Sequence, residues 1–428
     1  MSFEQGLSGL EASTQNLSVI GNNVANSSTV GFKSSETLFA DVYANSLTGA
    51  GASQIGIGVQ VNTVEQQFTQ GNITSSSNPL DIAINGGGFY EMSHNGSITY
   101  TRNGQFQLDK NGYITNSSGD RLQGYAVNAA GVLQTGSTTD LQINTANIAP
   151  SATGKIQVQL NLNSQDTIPV TTPFSISDPT TYNYSSAVTI YDSLGDAHTL
   201  QTYYVKTGPT ASAPAGTEAT WNVYASLDSK EVSGATPPTA MGTLTFTNAG
   251  TLDTTASPQP IQLTNLKVSS GAISPLGSTN TPAGIALNFT GTTQYGALDA
   301  TSVLKQDGYT SGQLSSFSAS PDGTIIGSYT NGQSHTLGQI ALANFTDPNG
   351  LQNLGNNEWA ATATSGAALV GTPGSGNLGV VQSSATENSN VDLTSQLVNM
   401  ITAQEDYQAN AQTIKTENEL VQTLVTLR

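Results

Sequence analysis

The sequence predicts a mainly β protein with long N- and C-terminal α-helices. Short runs that alternate apolar and polar residues, separated by Gly, Asn and Asp, fill the chain from about residue 71 to 384, and they are typical of half-buried strands. Residues 391–428 contain neither Gly nor Pro and repeat apolar side chains at alternating steps of four and three. The first 25 residues repeat that spacing. Both ends are therefore predicted to form coiled-coil-like helices.

The C-terminal helix is predicted to need a long partner. At ~1.5 Å per residue, residues 391–428 would form a helix about 57 Å long. As an alternative, the helix lies along the body of its own protein as an ordinary amphipathic helix. Gln404 and Asn418 interrupt the seam, where they either fix the register at some cost in stability or face solvent. The seam consists of Leu393, Leu397, Met400, Gln404, Tyr407, Ala411, Ile414, Asn418, Val421 and Val425.

The N-terminal helix is predicted to be that kind of partner. Gly6, Gly9 and Gly21 each cost roughly 1 kcal/mol relative to Ala inside a helix. The segment should stay helical only when its apolar stripe is covered. That stripe is predicted to be Phe3, Leu7, Leu10, Thr14, Leu17, Gly21 and Val24, with Ile20 alongside.

The β region is predicted to form two domains. Residues 71–148 and 305–384 carry similar strand and turn patterns and are predicted to form one discontinuous domain. Residues 149–304, richer in Thr, Ser and Pro, are predicted to be an outer β domain inserted into a loop of the first. Residues 1–70, a helix and linker, are predicted to form an inner domain with 385–428. Tight hairpin turns are predicted at Asn95-Gly96, Asn103-Gly104, Asn111-Gly112, Asp322-Gly323 and Asn331-Gly332.

Composition limits the partners that this chain can have. Only 9% of the 428 residues are charged, and 29 Asp plus Glu against 11 Lys plus Arg give a formal net charge of −18. Nucleic acid and anionic membranes are therefore poor partners. The chain has no Cys, so no disulfide or thiolate is available. Without a cleavable signal or a long apolar stretch, we expect no membrane insertion, and either a cytosolic protein or export by another route.

No catalytic, cofactor or metal site is predicted, and the protein is not expected to be an enzyme. His94, His198 and His335 lie far apart in hairpin-like sequence, where surface or strand-packing roles are expected. The glycines of NGGG, residues 85–88, are followed by a strand and not by a helix, which favours a turn or bulge. The stretch LDKNGYI, residues 108–114, lacks the further acidic ligands of a calcium loop and is predicted to be a hairpin turn.

Both ends of the chain resemble a known family. The stretch GNNVANSSTVGFKSS, residues 21–35, resembles the N-terminal signature of the rod and hook axial proteins of the bacterial flagellum. The stretch SNVDLTSQLVNMITAQEDYQANAQTIKT, residues 389–416, resembles their C-terminal signature. Within that family, TTQYG (292–296), YDSLGDAHTL (191–200) and NFTDPNGLQNLGNNEWAATATSG (344–366) are similar to the hook proteins.

The resemblance implies a structural subunit of the flagellar hook. Subunits exported unfolded by the flagellar type III apparatus would polymerise into a flexible hollow tube, which would act as a universal joint passing torque from rod to filament. Implied partners are the chain itself, the distal rod, hook cap and hook–filament junction proteins and the export apparatus. The implied location is extracellular, in the hook attached to the basal body. A distal rod protein, or a secreted β-rich adhesin, is the alternative.

An assembly interface is expected at the terminal helices and the N-terminal signature. Its predicted residues are Leu7, Leu10, Leu17, Asn22, Asn23, Asn26, Thr29, Gly31, Phe32, Lys33, Leu393, Leu397, Met400, Tyr407, Gln408, Asn410, Ile414, Val421 and Leu424.

Overall fold

The computed structural model describes residues 3–42, 56–128, 131–208, 219–263, 266 and 284–426, without the side chains of residues 424 and 426. The first part of the chain forms α1 (Phe3–Ala25), β1 (Ser35–Val42), β2 (Gly58–Gln66), β3 (Ile73–Ser75), β4 (Ile82–Asn85), β5 (Phe89–His94), β6 (Ser97–Thr101), β7 (Gln107–Leu108), β8 (Ile114–Thr115), β9 (Arg121–Ala126) and β10 (Thr139–Asp140).

The middle of the chain forms β11 (Lys155–Asn161), β12 (Tyr184–Tyr191), β13 (Ala197–Gly208), β14 (Ala219–Leu227), β15 (Lys230–Glu231), β16 (Gly242–Phe246), β17 (Ile261–Leu263), β18 (Ile285–Asn288) and β19 (Ala300–Gln306). The last part forms β20 (Leu314–Ala319), β21 (Thr324–Tyr329), β22 (Ser334–Ile340), β23 (Leu342–Asn344), β24 (Gln352–Gly355), β25 (Glu358–Ala360), β26 (Leu369–Gly371), β27 (Val380–Ser383), β28 (Ala385–Glu387) and α2 (Leu393–Thr426). The predicted fold class, mainly β with a helix at each end, is confirmed.

The chain divides into two compact units. Unit 1 contains residues 1–145, 316–328 and 334–428, and unit 2 contains residues 146–315 and 329–333. Unit 2 thus lies within the sequence of unit 1. The finer division of unit 1 into a helical inner domain and a β domain stays a prediction, as does the outer position of the insert.

Unit 1 combines a helix pair with a large sheet. Helix α1 packs on α2 and on the β1–β2 hairpin. The main path of the sheet has the order β20-β21-β22-β9-β5-β6-β25-β24. One face is filled by aromatic rings in edge-to-face contact, with Phe89 lying 5.7 Å from Trp359 and 5.9 Å from Phe345 between ring centres. These rings exclude water from the sheet and stabilise the unit beyond simple burial.

Unit 2 has two sheets with one apolar core. One sheet has the order β17-β18-β11-β19 and the other β12-β13-β14-β15, with β16 also paired to β14. Trp221, Phe246 and Phe289 are fully buried in this core, which draws its residues from 156–289. The unit therefore has a hydrophobic core of its own.

Most predicted turns are confirmed. Asn95 and Gly96 have φ of 50° and 89° between β5 and β6, as a two-residue hairpin requires. Asn111-Gly112, Asp322-Gly323 and Asn331-Gly332 also connect paired strands.

The hairpin predicted at Asn103-Gly104 is wrong. Strand β6 ends at Thr101, and the Gly104 carbonyl accepts a hydrogen bond from the Ile82 N–H at 2.8 Å. A Cβ on Gly104 would lie 1.7 Å from the Ile82 oxygen, so two backbones meet closely here. At this position glycine is needed because the two backbones approach closely, and not because the chain makes a hairpin turn.

Candidate assembly site

The two terminal helices pack against each other at two glycines. A Cβ on Gly6 would lie 2.9 Å from Ile414 Cγ1, and a Cβ on Gly9 would lie 2.7 Å from Asn410 Oδ1. Their lack of a side chain lets the helix axes approach closely. The predicted packing of α2 on α1 within one chain is confirmed.

The face of α1 that packs in this chain is one position away from the predicted stripe. Its buried residues are Gly6, Gly9, Ala12, Ile20 and Asn23. In contrast, Phe3 and Leu7 are 52% and 41% exposed, and Leu10 and Leu17 are half-buried. As a prediction of intrachain packing the register was wrong, because glycines were read as weak points of the helix and not as contact positions. The role of these leucines between copies stays a prediction.

Helix α2 buries only part of its seam. Ala403 is its one fully buried side chain in the described residues, and Met400, Asn410 and Ile414 are half-buried. Ala411 in the seam is half-buried as well, whereas the remaining seam positions, including Gln404 and Asn418, face solvent, as does Gln408. Exposed apolar side chains include Leu393 and Leu397, each 45% exposed, Ile401, Tyr407 and Val421. The side chain of Leu424 lies outside the described residues.

Asparagines end α1 and join it to the next strand. Asn26 Nδ2 donates to the Asn22 carbonyl at 3.0 Å, and Thr29 Oγ1 donates to Asn26 Oδ1 at 3.1 Å. Buried Asn23 accepts from the Ser35 N–H at 2.9 Å and donates to the Ser35 carbonyl at 2.7 Å. Amides suit this position because one side chain offers donors and an acceptor. The signature thus fixes how the chain turns from the helix into β1.

A buried ion cluster connects the N-terminal signature with the segment before α2. Lys33 Nζ lies 2.7 Å from Glu387 Oε1, and Arg102 Nη1 lies 3.6 Å from Glu387 Oε2. Lys33 Nζ also donates to the Thr69 carbonyl at 2.7 Å, and the Gly71 N–H donates to Glu387 Oε1 at 2.9 Å. Burial and nearby Arg102 lower the pKa of Lys33 from its ordinary value, against the opposing effect of Glu387.

Backbone contacts reinforce this junction. The Gly31 N–H donates to the Glu387 carbonyl at 2.8 Å, and the Ser34 N–H donates to Asn390 Oδ1 at 2.7 Å. Gly31 has φ of 73°, and Phe32 is buried beside it. Sequence reasoning missed Glu387 and Asn390 as partners. The signal for them was a carboxylate followed by two asparagines, in the sequence ENSN at residues 387–390, shortly before α2.

A second polar cluster lies beneath the signature. Asn116 Nδ2 donates to Asp120 Oδ2 at 2.8 Å and to Glu358 Oε1 at 2.9 Å, and His94 Nδ1 contacts Asp120 Oδ1. Burial and the neighbouring Asp120 raise the pKa of Glu358. Burial of Asp120 is outweighed by its hydrogen bonds from Asn116 and His94, which lower the pKa of that carboxyl. Glu358 therefore keeps its proton to a higher pH than an ordinary glutamate does, whereas Asp120 loses its proton at a lower pH than an ordinary aspartate does.

Family models match this chain at four places. The flagella basal body rod protein model matches residues 3–33, and the flagellar hook protein FlgE/F/G D1 domain model matches 83–164. The flagellar basal body protein FlaE D2 domain model matches 161–309, and the flagellar basal body rod FlgEFG protein C-terminal model matches 382–427. The C-terminal signature falls within the last of these matches, and the N-terminal signature falls within the first as far as Lys33.

Full-length relatives decide the family. The flagellar hook protein FlgE of Salmonella typhimurium is 42% identical over 433 residues, with 100% of both chains covered. The flagellar hook protein FlgE of Escherichia coli K12 has the same identity and coverage. The chain belongs to the flagellar hook protein family. The crystal structure of Helicobacter pylori flagellar hook protein FlgE2 matches at a TM-score of 0.51 and 14% identity, over 74% of this chain and 99% of that one, which supports the fold.

In this hook-family chain, the described helices include none that is both long and apolar enough to cross a membrane. The described residues likewise contain no group of three or more His, Cys, Asp or Glu placed to hold a metal ion.

Proposed function

We propose that this chain is the structural subunit of the flagellar hook. It polymerises into a flexible hollow tube that passes torque from the rod to the filament. The observation that carries the proposal is the 42% identity to hook proteins over the whole length of both chains. That match includes both terminal helices and both units. The similarity therefore extends over the whole subunit and is not limited to one domain.

The exposed side of the helix pair supports assembly through copies of the same chain. In one chain Leu393, Leu397 and Ile401 form an exposed row at steps of four on α2, with Ile401 58% exposed. Leu7 on α1 is exposed as well. Burying a Leu or Ile side chain contributes roughly 1.5–3 kcal/mol. A neighbouring copy that covers this row would supply the contact that one chain lacks.

The proposal also specifies the subunit's non-enzymatic role, its binding partners and its location. The subunit is non-enzymatic, and its contacts are with its own copies, with the distal rod, hook cap and hook–filament junction proteins, and with the export apparatus. It works outside the cell, in the hook attached to the basal body. A net charge of −18 per copy opposes close packing of subunits, so assembly is expected to be promoted by salt.

Polymerisation of purified chain tests the proposal. Wild-type protein should stay monomeric in low salt and form tubes as ammonium sulfate rises, followed by light scattering and electron microscopy. Leu397→Asp should remain monomeric, whereas Ser395→Asp, which adds the same charge on the same exposed turn, should assemble. Both variants should unfold at the wild-type temperature. Failure of the wild type to form tubes in any salt, or normal assembly of Leu397→Asp, contradicts the proposal.

A further inference from the structure

Residues of the signature and of the second polar cluster border an open polar cleft in unit 1. It encloses about 580 Å³ between the signature loop, the turn after β8 and the β24–β25 hairpin. Seven of its lining residues are asparagines, among them Asn22, Asn26, Asn116, Asn353 and Asn356, and we call it the asparagine cleft. Its charged lining residues are Lys33, which is paired internally, and Glu358.

The walls of the asparagine cleft are held in place. Gly355, Asn356 and Asn357 have φ of 89°, 53° and 59°, a left-handed turn that Gly and Asn tolerate better than other residues. Asn357 Nδ2 donates to the Val30 carbonyl at 3.0 Å, which ties this turn to the signature loop. The turn presents Asn356 to solvent. The cleft is therefore organised before anything enters it, which lowers the entropy cost of binding.

The chemistry of the asparagine cleft suits an uncharged polar chain. Asn26, Asn116 and Asn357 are already hydrogen-bonded within the chain. The exposed Asn356 amide offers two donors and one acceptor, so it can pair with backbone N–H and C=O groups and with Ser, Thr, Asn or Gln side chains of an incoming segment. An acidic segment would meet Glu358, and an apolar one would displace water from the exposed Asn356 amide without replacing its hydrogen bonds, at a cost. The surface of this chain itself is of the required kind, because only 9% of its residues are charged.

Resting on the proposed function, we infer that the asparagine cleft binds an uncharged polar segment of a second copy of this chain. Two copies that each carry −18 repel each other, and a cleft lined by neutral amides lets them meet without pairing like charges. The cleft is also continuous with α1, whose last turn supplies Asn22. Contacts between copies thus extend from the apolar helix row to a hydrogen-bonded site at the end of the helix.

Two matched substitutions test the charge requirement. Asn356→Asp and Asn95→Asp each place one new carboxylate on an exposed left-handed turn position, where φ is 53° and 50°. Asn356→Asp should raise the protein concentration needed for tube formation by roughly tenfold, because the carboxylate would be buried against amides and Glu358. Asn95→Asp, away from the cleft, should assemble as the wild type does. Equal assembly of the two variants overturns the inference.

Chemical labelling tests occupancy directly. The chain has no Cys, so Ser117→Cys on the rim of the cleft introduces a single thiol. A maleimide should react readily with this thiol in the monomer and at least roughly tenfold more slowly in tubes, as expected for a buried thiol. Tubes in which the thiol reacts at the monomer rate overturn the inference while leaving the proposed function standing. A chain that forms no tubes overturns both.

Discussion

Lys33 and Glu387 form a buried ion pair that joins segments 354 residues apart. Their side chains are 0% and 1% exposed, and the Nζ to Oε1 distance is 2.7 Å. Arg102 approaches the other oxygen of the same carboxylate. One carboxylate thus balances two buried cations, so its loss should cost more than the loss of either cation.

Removing Glu387 tests this imbalance. We expect Glu387→Gln to lower the free energy of unfolding by roughly 3–5 kcal/mol, since it leaves two buried cations without a counter-charge. Lys33→Met should cost less, because Glu387 keeps Arg102 and the Gly71 N–H. Urea unfolding of the monomer is the measurement.

The surface ion pair between Arg121 and Asp140 provides the control for this series. Its side chains are 41% and 30% exposed at a distance of 2.8 Å. Asp140→Asn should therefore cost less than about 1 kcal/mol. If Glu387→Gln cost no more than Asp140→Asn, the buried cluster would not be what holds the junction.

Gly6 and Gly21 on α1 should respond to alanine in opposite directions. A Cβ on Gly21 meets nothing within 4 Å, so Gly21→Ala should stabilise the helix by roughly 1 kcal/mol. A Cβ on Gly6 would lie 2.9 Å from the branched side chain of Ile414, and overpacking of that kind costs roughly 1–3 kcal/mol. Hydrogen exchange of the α1 and α2 amides should slow in the first variant and accelerate in the second. Slower exchange in both would mean that the helices have room to separate.

Glu358 should make stability depend on pH. Its folded-state pKa is raised from an ordinary value of 4.5, so the folded chain holds this proton more tightly than the unfolded chain. The resulting stabilisation is complete below 4.5 and is lost as pH rises through the raised value. Glu358→Gln stays neutral and can still accept from Asn116. Its melting temperature should exceed that of the wild type near pH 8, and the difference should shrink toward pH 4.

Exposed Glu405 on α2 supplies the control for this pH series. Glu405→Gln removes the same charge where water and salt screen it. We expect it to leave the pH profile of the melting temperature unchanged. A Glu358→Gln profile parallel to that of the wild type would show that burial and the Asp120 carboxyl do not raise the pKa of Glu358 in the folded chain.

Residues 146–315 should fold when produced alone. The core of unit 2 lies within residues 156–289 and includes Trp221, which is 0% exposed. The chain has only one other tryptophan, Trp359 in unit 1, so Trp221 is the single tryptophan reporter of the fragment. Blue-shifted emission and one cooperative urea transition are expected. Red-shifted emission without a transition would mean that unit 2 depends on the rest of the chain.

Local patterns in the sequence predicted the elements better than their contacts. The step of four and three identified both helices, and the alternating runs identified the β class, because these signals come from neighbours along the chain. Most turn predictions held for the same reason. The hairpin prediction at Asn103-Gly104 failed because Gly104 is needed for its close contact with the backbone of Ile82, a residue distant in sequence. A dipeptide motif carries no information about such a contact.

At the candidate site too, local features were predicted from the sequence and contacts between distant residues were not. The signature around Lys33 was found from the sequence, but its partner Glu387 was not, because no periodicity links residues so far apart. The stripe on α1 was placed one position away because apolar side chains were expected at the contact, where Gly6 and Gly9 lie instead. Leu7 was identified as apolar, but its exposure in a single chain is a property of the tertiary fold.

The distance in sequence between Lys33 and Glu387 sets an order of folding events. A ribosome that has made β1 and β2 has not yet made the strand that pairs with β3 or the carboxylate that meets Lys33. Contacts of such high sequence separation form slowly because the intervening chain must first become compact. Pulse-labelling of amides during refolding should therefore find the Gly31 N–H, which bonds to the Glu387 carbonyl, among the last to be protected. The N-terminal segment is synthesised first, but its contacts with Glu387 are among the last to form.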